Sequence, residues 1–122
     1  MNNGLGEFIL TLLHAVTNVH ILHFQANTTA EHLALGEFYE DLGDLIDAVV
    51  EATQGRQEKK IEYPVQYYAP APTGLEELKM LRDYVDEQRH HPDIPQETEI
   101  QNLIDEIASH IDSTLNKLLF YK

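Results

Sequence analysis

Residues 55–73 read GRQEKKIEYPVQYYAPAPT, a stretch with three prolines and no helical spacing of apolar side chains. Proline fixes its own φ and lacks the amide proton a helix needs, so the segment must be a connection between helices. Extended, a chain of this length reaches about 60 Å, and a helix of about 24 residues is about 36 Å long. The connection can therefore travel the whole length of a neighbouring helix. That lets the helices before and after it run parallel, whereas an all-antiparallel bundle needs only a short turn. An ordinary up-and-down bundle with a loose loop is the alternative that length alone leaves open.

Working outward from the connection, helical signals lie on both sides. Residues 5–26 (LGEFILTLLHAVTNVHILHFQA) place Phe8, Leu12, Ala15, Val19 and Leu22 at the three-to-four spacing of an amphipathic helix. TTAE at 28–31 is a capping box, in which a hydroxyl and a carboxylate satisfy free amides at a helix start. It predicts a second helix from Thr29 to Gln54 that stops at Gly55, with Leu35, Phe38, Leu42, Leu45, Ile46 and Val49 on one arc. TGLE at 73–76 repeats the signal and opens a third helix to Arg89, carrying Leu75, Leu78, Met80, Leu81 and Val85. HHPDIP at 90–95 breaks the chain, and a fourth helix is expected over 96–121 with Ile100, Leu103, Ile104, Ile107, Ile111, Leu115 and Leu118 inward. The expectation is all-α, one domain over residues 1–122, with short first and third connections and a long second one.

Composition narrows the chemistry. Hydrophobic residues make up 43% of 122, enough for one core. Cysteine is absent, so a transition-metal site has to be built from His, Asp and Glu. Eight basic residues against 21 acidic ones give a formal charge of −13, and the densest basic spot, Lys59-Lys60, is flanked by Glu58 and Glu62. Phosphate backbones should be repelled, so nucleic acid is not an expected partner. No basic leader followed by a signal-like apolar run is seen, nor an uninterrupted apolar run of about 20 residues. The expected setting is soluble and cytoplasmic, with no membrane partner.

The second helix carries an unusual line of residues. At about 100° per residue, with His32 as origin, Gly36 falls at about 40°, Tyr39 at about −20°, Gly43 at about 20°, Asp47 at about 60° and Glu51 at about 100°. This flank is separate from the apolar arc. Two glycines on one helical stripe cost stability and suggest a close approach of another backbone. Positions 36 and 43 share a midpoint of 39.5, and so do 32 and 47. A second copy of this helix crossing antiparallel about a two-fold axis at that midpoint would set Gly36 against the partner's Gly43 and His32 against the partner's Asp47. Within one chain, His32 and Asp47 are about 22 Å apart along the axis, too far to share a ligand. Asp47 and Glu51, one turn apart, can reach one metal together, and His23 can join His32 across the short turn.

The elements HF (His23-Phe24), EHLAL around His32, and DAVVE with Asp47 and Glu51 resemble the Dps family, a branch of the ferritin-like superfamily. By that resemblance the fold is a ferritin-like four-helix bundle with a long crossover between helices two and three. The resemblance also implies an intersubunit metal site of ferroxidase type, with iron or a similar divalent metal held by His23 and His32 of one subunit and by Asp47 and Glu51 of the other. The implied partner is a second copy, docked through Gly36, Tyr39 and Gly43. Residues 1–7, MNNGLGE, hold no base, so a lysine-rich tail for binding DNA is not expected. The competing expectation is a ferritin-like dimer without metal chemistry, acting as a structural or interaction protein. A monomeric helical module, the third reading, would leave both glycines facing water.

Other clusters read as structural. Glu106 and His110, one turn apart, are expected to form an exposed helical pair. His14 and Asn18 are expected to face solvent, and His90 and His91 to complement the dipole at the end of the third helix. Tyr63, Tyr67 and Tyr68 are expected to pin the long connection to the bundle. No phosphate loop or nucleophile elbow is present.

Overall fold

A computed structural model describes residues 4–121, which form four helices and, among the described residues, no strand: α1 (Gly4–Phe24), α2 (Thr29–Gln57), α3 (Gly74–Gln88) and α4 (Thr98–Phe120). The hydroxyl half of each capping box forms, while neither the Glu31 nor the Glu76 carboxylate bonds back to the cap amide. The Thr28 hydroxyl accepts from the Glu31 amide at 3.1 Å, and the Thr73 hydroxyl accepts from the Glu76 amide at 3.1 Å. Each satisfies one of the amides that a helix start leaves without a carbonyl partner. Phe8, Leu12, Leu35, Phe38, Leu42, Ile46, Leu78, Ile104 and Ile111 are sealed in one core to which all four helices contribute. Each large apolar side chain so buried stabilises the fold by about 1.5–3 kcal/mol relative to exposure.

Cross-helix contacts fix the directions. His20 stacks on Tyr39, and His23 lies over Gly36, so α1 and α2 are antiparallel. Lys117 reaches Glu37 while Arg56 reaches Glu97, which makes α2 and α4 antiparallel as well. At the turn between α3 and α4, Arg89 bonds to the Gln101 side chain and carbonyl and to Asp105. The start of α3 rests against α2 near its own start, with Gly74 on Leu35. The start of α1 meets the chain beyond the ends of both: Gly6 touches Glu62, and Gly4 touches Asp93. Hence α2 and α3 run parallel from opposite corners, each packing on α1 and α4.

The connection over residues 58–73 crosses the outer face of α1 and is tied down stepwise. The Ile61 amide donates to Gln54 Oε1 at 3.1 Å, Asn18 Nδ2 donates to the Tyr68 carbonyl at 3.2 Å, and the Ala71 amide donates to Glu77 Oε1 at 2.8 Å. Buried backbone groups need such partners, and here side chains of three helices supply them. This path corrects the reading of His14 and Asn18. Asn18 is buried, and the His14 ring meets Tyr68 edge-on at 5.2 Å, because the connection covers the face that would otherwise meet water. Tyr68 is the tyrosine held closest; Tyr63 and Tyr67 stay largely exposed.

Three further readings change. The second helix runs through Gly55 to Gln57, and the left-handed residue that closes it is Glu58, at φ 53°. Met80 is 63% exposed and outside the core. His90 and His91 lie beyond α3, which ends at Gln88, and His91 Nδ1 accepts from the Asp93 amide at 3.1 Å. One buried polar atom has no use in the core: the Thr53 hydroxyl, on a fully buried residue, has no hydrogen-bond partner. Replacing an orphaned hydroxyl by a methyl group of similar shape removes its desolvation penalty. Thr53→Val is therefore expected to raise stability by about 1 kcal/mol, measured by chemical denaturation. A loss of stability would mean that the hydroxyl is satisfied in solution.

Candidate functional site

The first helix ends at Phe24 and the second begins at Thr29, so His23 and His32 face each other across a turn of four residues. The turn is closed by the Gln25 amide to the Leu22 carbonyl at 3.1 Å and the Ala26 amide to the His23 carbonyl at 3.4 Å. Across it the two imidazoles stack, with centroids 3.7 Å apart and planes inclined by 21°. Each ring bonds to the backbone of the other residue: His23 Nδ1 to the His32 carbonyl at 2.6 Å, and His32 Nδ1 to the His23 carbonyl at 3.0 Å. A carbonyl oxygen can only accept, so both rings carry a proton on Nδ1. In a neutral ring so protonated Nε2 is the atom that keeps a lone pair, which is the arrangement by which proteins orient histidine toward a metal.

Gly36 is the floor of this clasp. A Cβ there would lie 3.0 Å from His23 Cε1 and 3.2 Å from His23 Nδ1. The close approach that this glycine permits is thus made first of all by a side chain of its own chain. Gly43 differs, since a Cβ there would meet nothing within 4 Å. Behind the clasp the aromatic packing continues: His20 stacks on Tyr39 at 4.1 Å and lies tilted against Phe24 at 4.8 Å, and Tyr39 meets His23 edge-on at 5.5 Å. His20 was not singled out from sequence, although its position one turn before His23 and Phe24 marks it as part of the same face.

Asp47 and Glu51 are exposed on α2, and neither forms a hydrogen bond or ion pair among the described residues. They lie about 22 Å or more along the helix from His32. Among the described residues no three His, Asp or Glu side chains come together to hold a metal ion within one chain. The structure therefore joins His23 to His32 and leaves Asp47 and Glu51 as a separate, uncommitted pair.

A second polar feature escaped the sequence reading. Asp41, Asp44, Asp105, Glu106, Ser109 and His110 line an open groove of about 660 Å³ between α2 and α4. Rather than pairing with Glu106 at the surface, His110 turns inward and stacks on Phe38 at 5.0 Å. Its Nε2 has no hydrogen-bond partner and lies 3.7 Å from Asp41 Oδ2. Helical spacing identified His110 as a neighbour of Glu106 but could not show which way the ring turns.

Comparison with known proteins returns one family model, that of a family of unknown function (DUF5856), matching residues 23–118. No curated protein and no solved structure matches the chain.

Proposed function

For this chain, which belongs to the DUF5856 family, we propose a ferritin-like, Dps-like iron-binding role, with the metal held between two copies of the protein. His23 and His32 of one protomer supply the nitrogen donors, and the partner's Asp47 and the partner's Glu51 supply the carboxylates. The observation that carries this reading is the reciprocal clasp, which engages Nδ1 of both rings and leaves both Nε2 atoms without a hydrogen-bond partner among the described residues. Imidazole with carboxylate suits Fe(II) and similar divalent ions, and a net charge of −13 draws cations toward the surface. The parallel pair α2 and α3, joined by a connection running the length of the bundle, matches the one-crossover plan of ferritin-like folds. Oxidation of Fe(II) held there would balance with hydrogen peroxide as oxidant: two ions would give one electron each, the O–O bond would break, and with two protons two water molecules would leave.

A second reading, a dimer with no metal chemistry, is favoured by one observation. The residue one turn after His32 is Gly36, and the His23 ring fills the space a side chain there would take, so no carboxylate can join the two histidines from that position.

Complementation separates the two. The variants His32→Ala and Asp47→Ala are each expected to lose anaerobic Fe(II) binding, measured by calorimetry with mass followed by light scattering. Mixed and allowed to exchange, they should regain about a quarter of wild-type capacity, because half of the dimers are mixed and one of their two sites is intact. No saturable binding by a dimeric wild type favours the second reading. Binding by either variant alone removes the shared site.

A further inference from the structure

By length and composition α1 alone among the described helices is apolar enough to cross a membrane, yet only 44% of that stretch is buried in the fold. Residues 8–30 contain no Lys, Arg, Asp or Glu, in a chain whose remainder carries the whole formal charge of −13. Leu13, Ile21 and Phe24 stay exposed, Phe24 at 71%. Beside them Leu13, Thr17, Ile21 and Tyr67 line a groove of about 310 Å³ under the edge of the crossover. This neutral strip adjoins the α2 line at His20, whose ring lies on Tyr39.

We propose that a second copy of the chain covers this strip, with α1 packing on the partner's α1 about the same two-fold axis that would pair the α2 helices. The inference rests on the dimer of the preceding reading and adds a second helix to its contact surface. Register selects the occupant. The His20–Tyr39 stack and the seat of His23 on Gly36 place the α2 midpoint, 39.5, at the level of α1 position 19.5. An antiparallel α1 pair about that level sets Leu13 against the partner's Phe24, midpoint 18.5, and Thr17 against the partner's Ile21, midpoint 19. Both agree with the axis to within one residue, about 1.5 Å along a helix. The exposed residues of this α1 face are thus complementary to themselves around the axis that the spacing of the α2 line implies. Charge points the same way: two chains at −13 repel over most of their surface and meet at least cost where neither carries an acidic side chain. Anionic headgroups would be repelled as the copies' acidic faces are.

The test uses Leu13→Glu and Phe24→Lys, both at exposed positions, with helicity checked by circular dichroism and mass by sedimentation. Each alone is expected to weaken the dimer roughly a thousandfold, since each spoils two symmetry-related contacts at about thirtyfold apiece. Mixing the two should restore a dimer, because the introduced acid then faces the introduced base across one contact while the other contact is wild type. A wild-type dimer that survives both substitutions but dissociates on Gly43→Leu would overturn the α1 contact and keep the α2 one. A monomeric wild type would overturn both readings, and if it floats with phosphatidylcholine vesicles the strip belongs to a membrane surface.

Discussion

Gly6→Ala is expected to destabilise the protein by about 3 kcal/mol, lowering the melting temperature by about 10 °C. The added Cβ would lie 1.8 Å from the carbonyl oxygen of Glu62 and 2.9 Å from its carbon. Both are backbone atoms, so no rotamer change relieves the contact. Either α1 or the start of the crossover must move, and the Ile61 amide bonded to Gln54 Oε1 sits next to the displaced peptide. Gly55→Ala is the internal control. Gly55 is exposed within α2 and a Cβ there meets nothing within 4 Å, so the same substitution should stabilise by about 1 kcal/mol through helix propensity. Opposite signs for one chemical change would establish that the crossover passes against Gly6 in solution. Equal signs would place it elsewhere and remove the parallel arrangement of α2 and α3.

Helix starts were legible in the sequence because their signals are local. Thr28 with Glu31 and Thr73 with Glu76 act within one turn, and nothing distant needs to be known to read them. The end of α2 was less legible for the opposite reason. A glycine inside a helix costs only about 1 kcal/mol, which packing at the base of the bundle can override, so the helix passes Gly55 and stops at Gln57. Burial of polar residues was misread wherever the long connection intervenes. A helical wheel assigns Asn18 to solvent, but the connection delivers the Tyr68 carbonyl to that face. Its length could be read from sequence, whereas its path over α1 depends on contacts such as Gly6 with Glu62 that no periodicity encodes.

The candidate site was legible in a similarly divided way. His23 and His32 flank a short turn between two helices, so sequence proximity implied spatial proximity, and the rings are in contact. Asp47 and Glu51 were grouped with them only through a symmetry argument, and a single chain leaves them apart. The glycine stripe mixes two causes that look identical in sequence. Gly36 makes room for a ring of its own chain, while the space over Gly43 is open. Gly43 is therefore the residue at which a packing partner can be detected without disturbing the clasp, and Gly36 the one at which the clasp can be disturbed directly.

On the reading that His23 and His32 hold the metal, Gly36→Leu should lower affinity for Fe(II) at least about 100-fold while leaving the chain folded. A Cβ alone would crowd His23 at 3.0 Å, and the branched remainder of a leucine has to occupy the volume of the imidazole itself. The ring must then rotate out, giving up its bond to the His32 carbonyl and its stack on the His32 ring. His32 in turn loses the surface that holds its orientation, so one substitution disorders both nitrogen donors without removing either. The fold should tolerate it, because the site is half-exposed at the end of α1 and the buried core begins at Leu22 and Leu35. Gly36→Ala supplies the graded case: the ring needs to shift only a few tenths of an ångström, and affinity should fall less. The measurement is anaerobic Fe(II) titration of both variants beside imidazole proton resonances, which report whether the rings remain stacked. If Gly36→Leu unstacks the rings and binding persists unchanged, the histidine clasp is a structural fastening of α1 to α2, and any metal the protein carries is bound elsewhere.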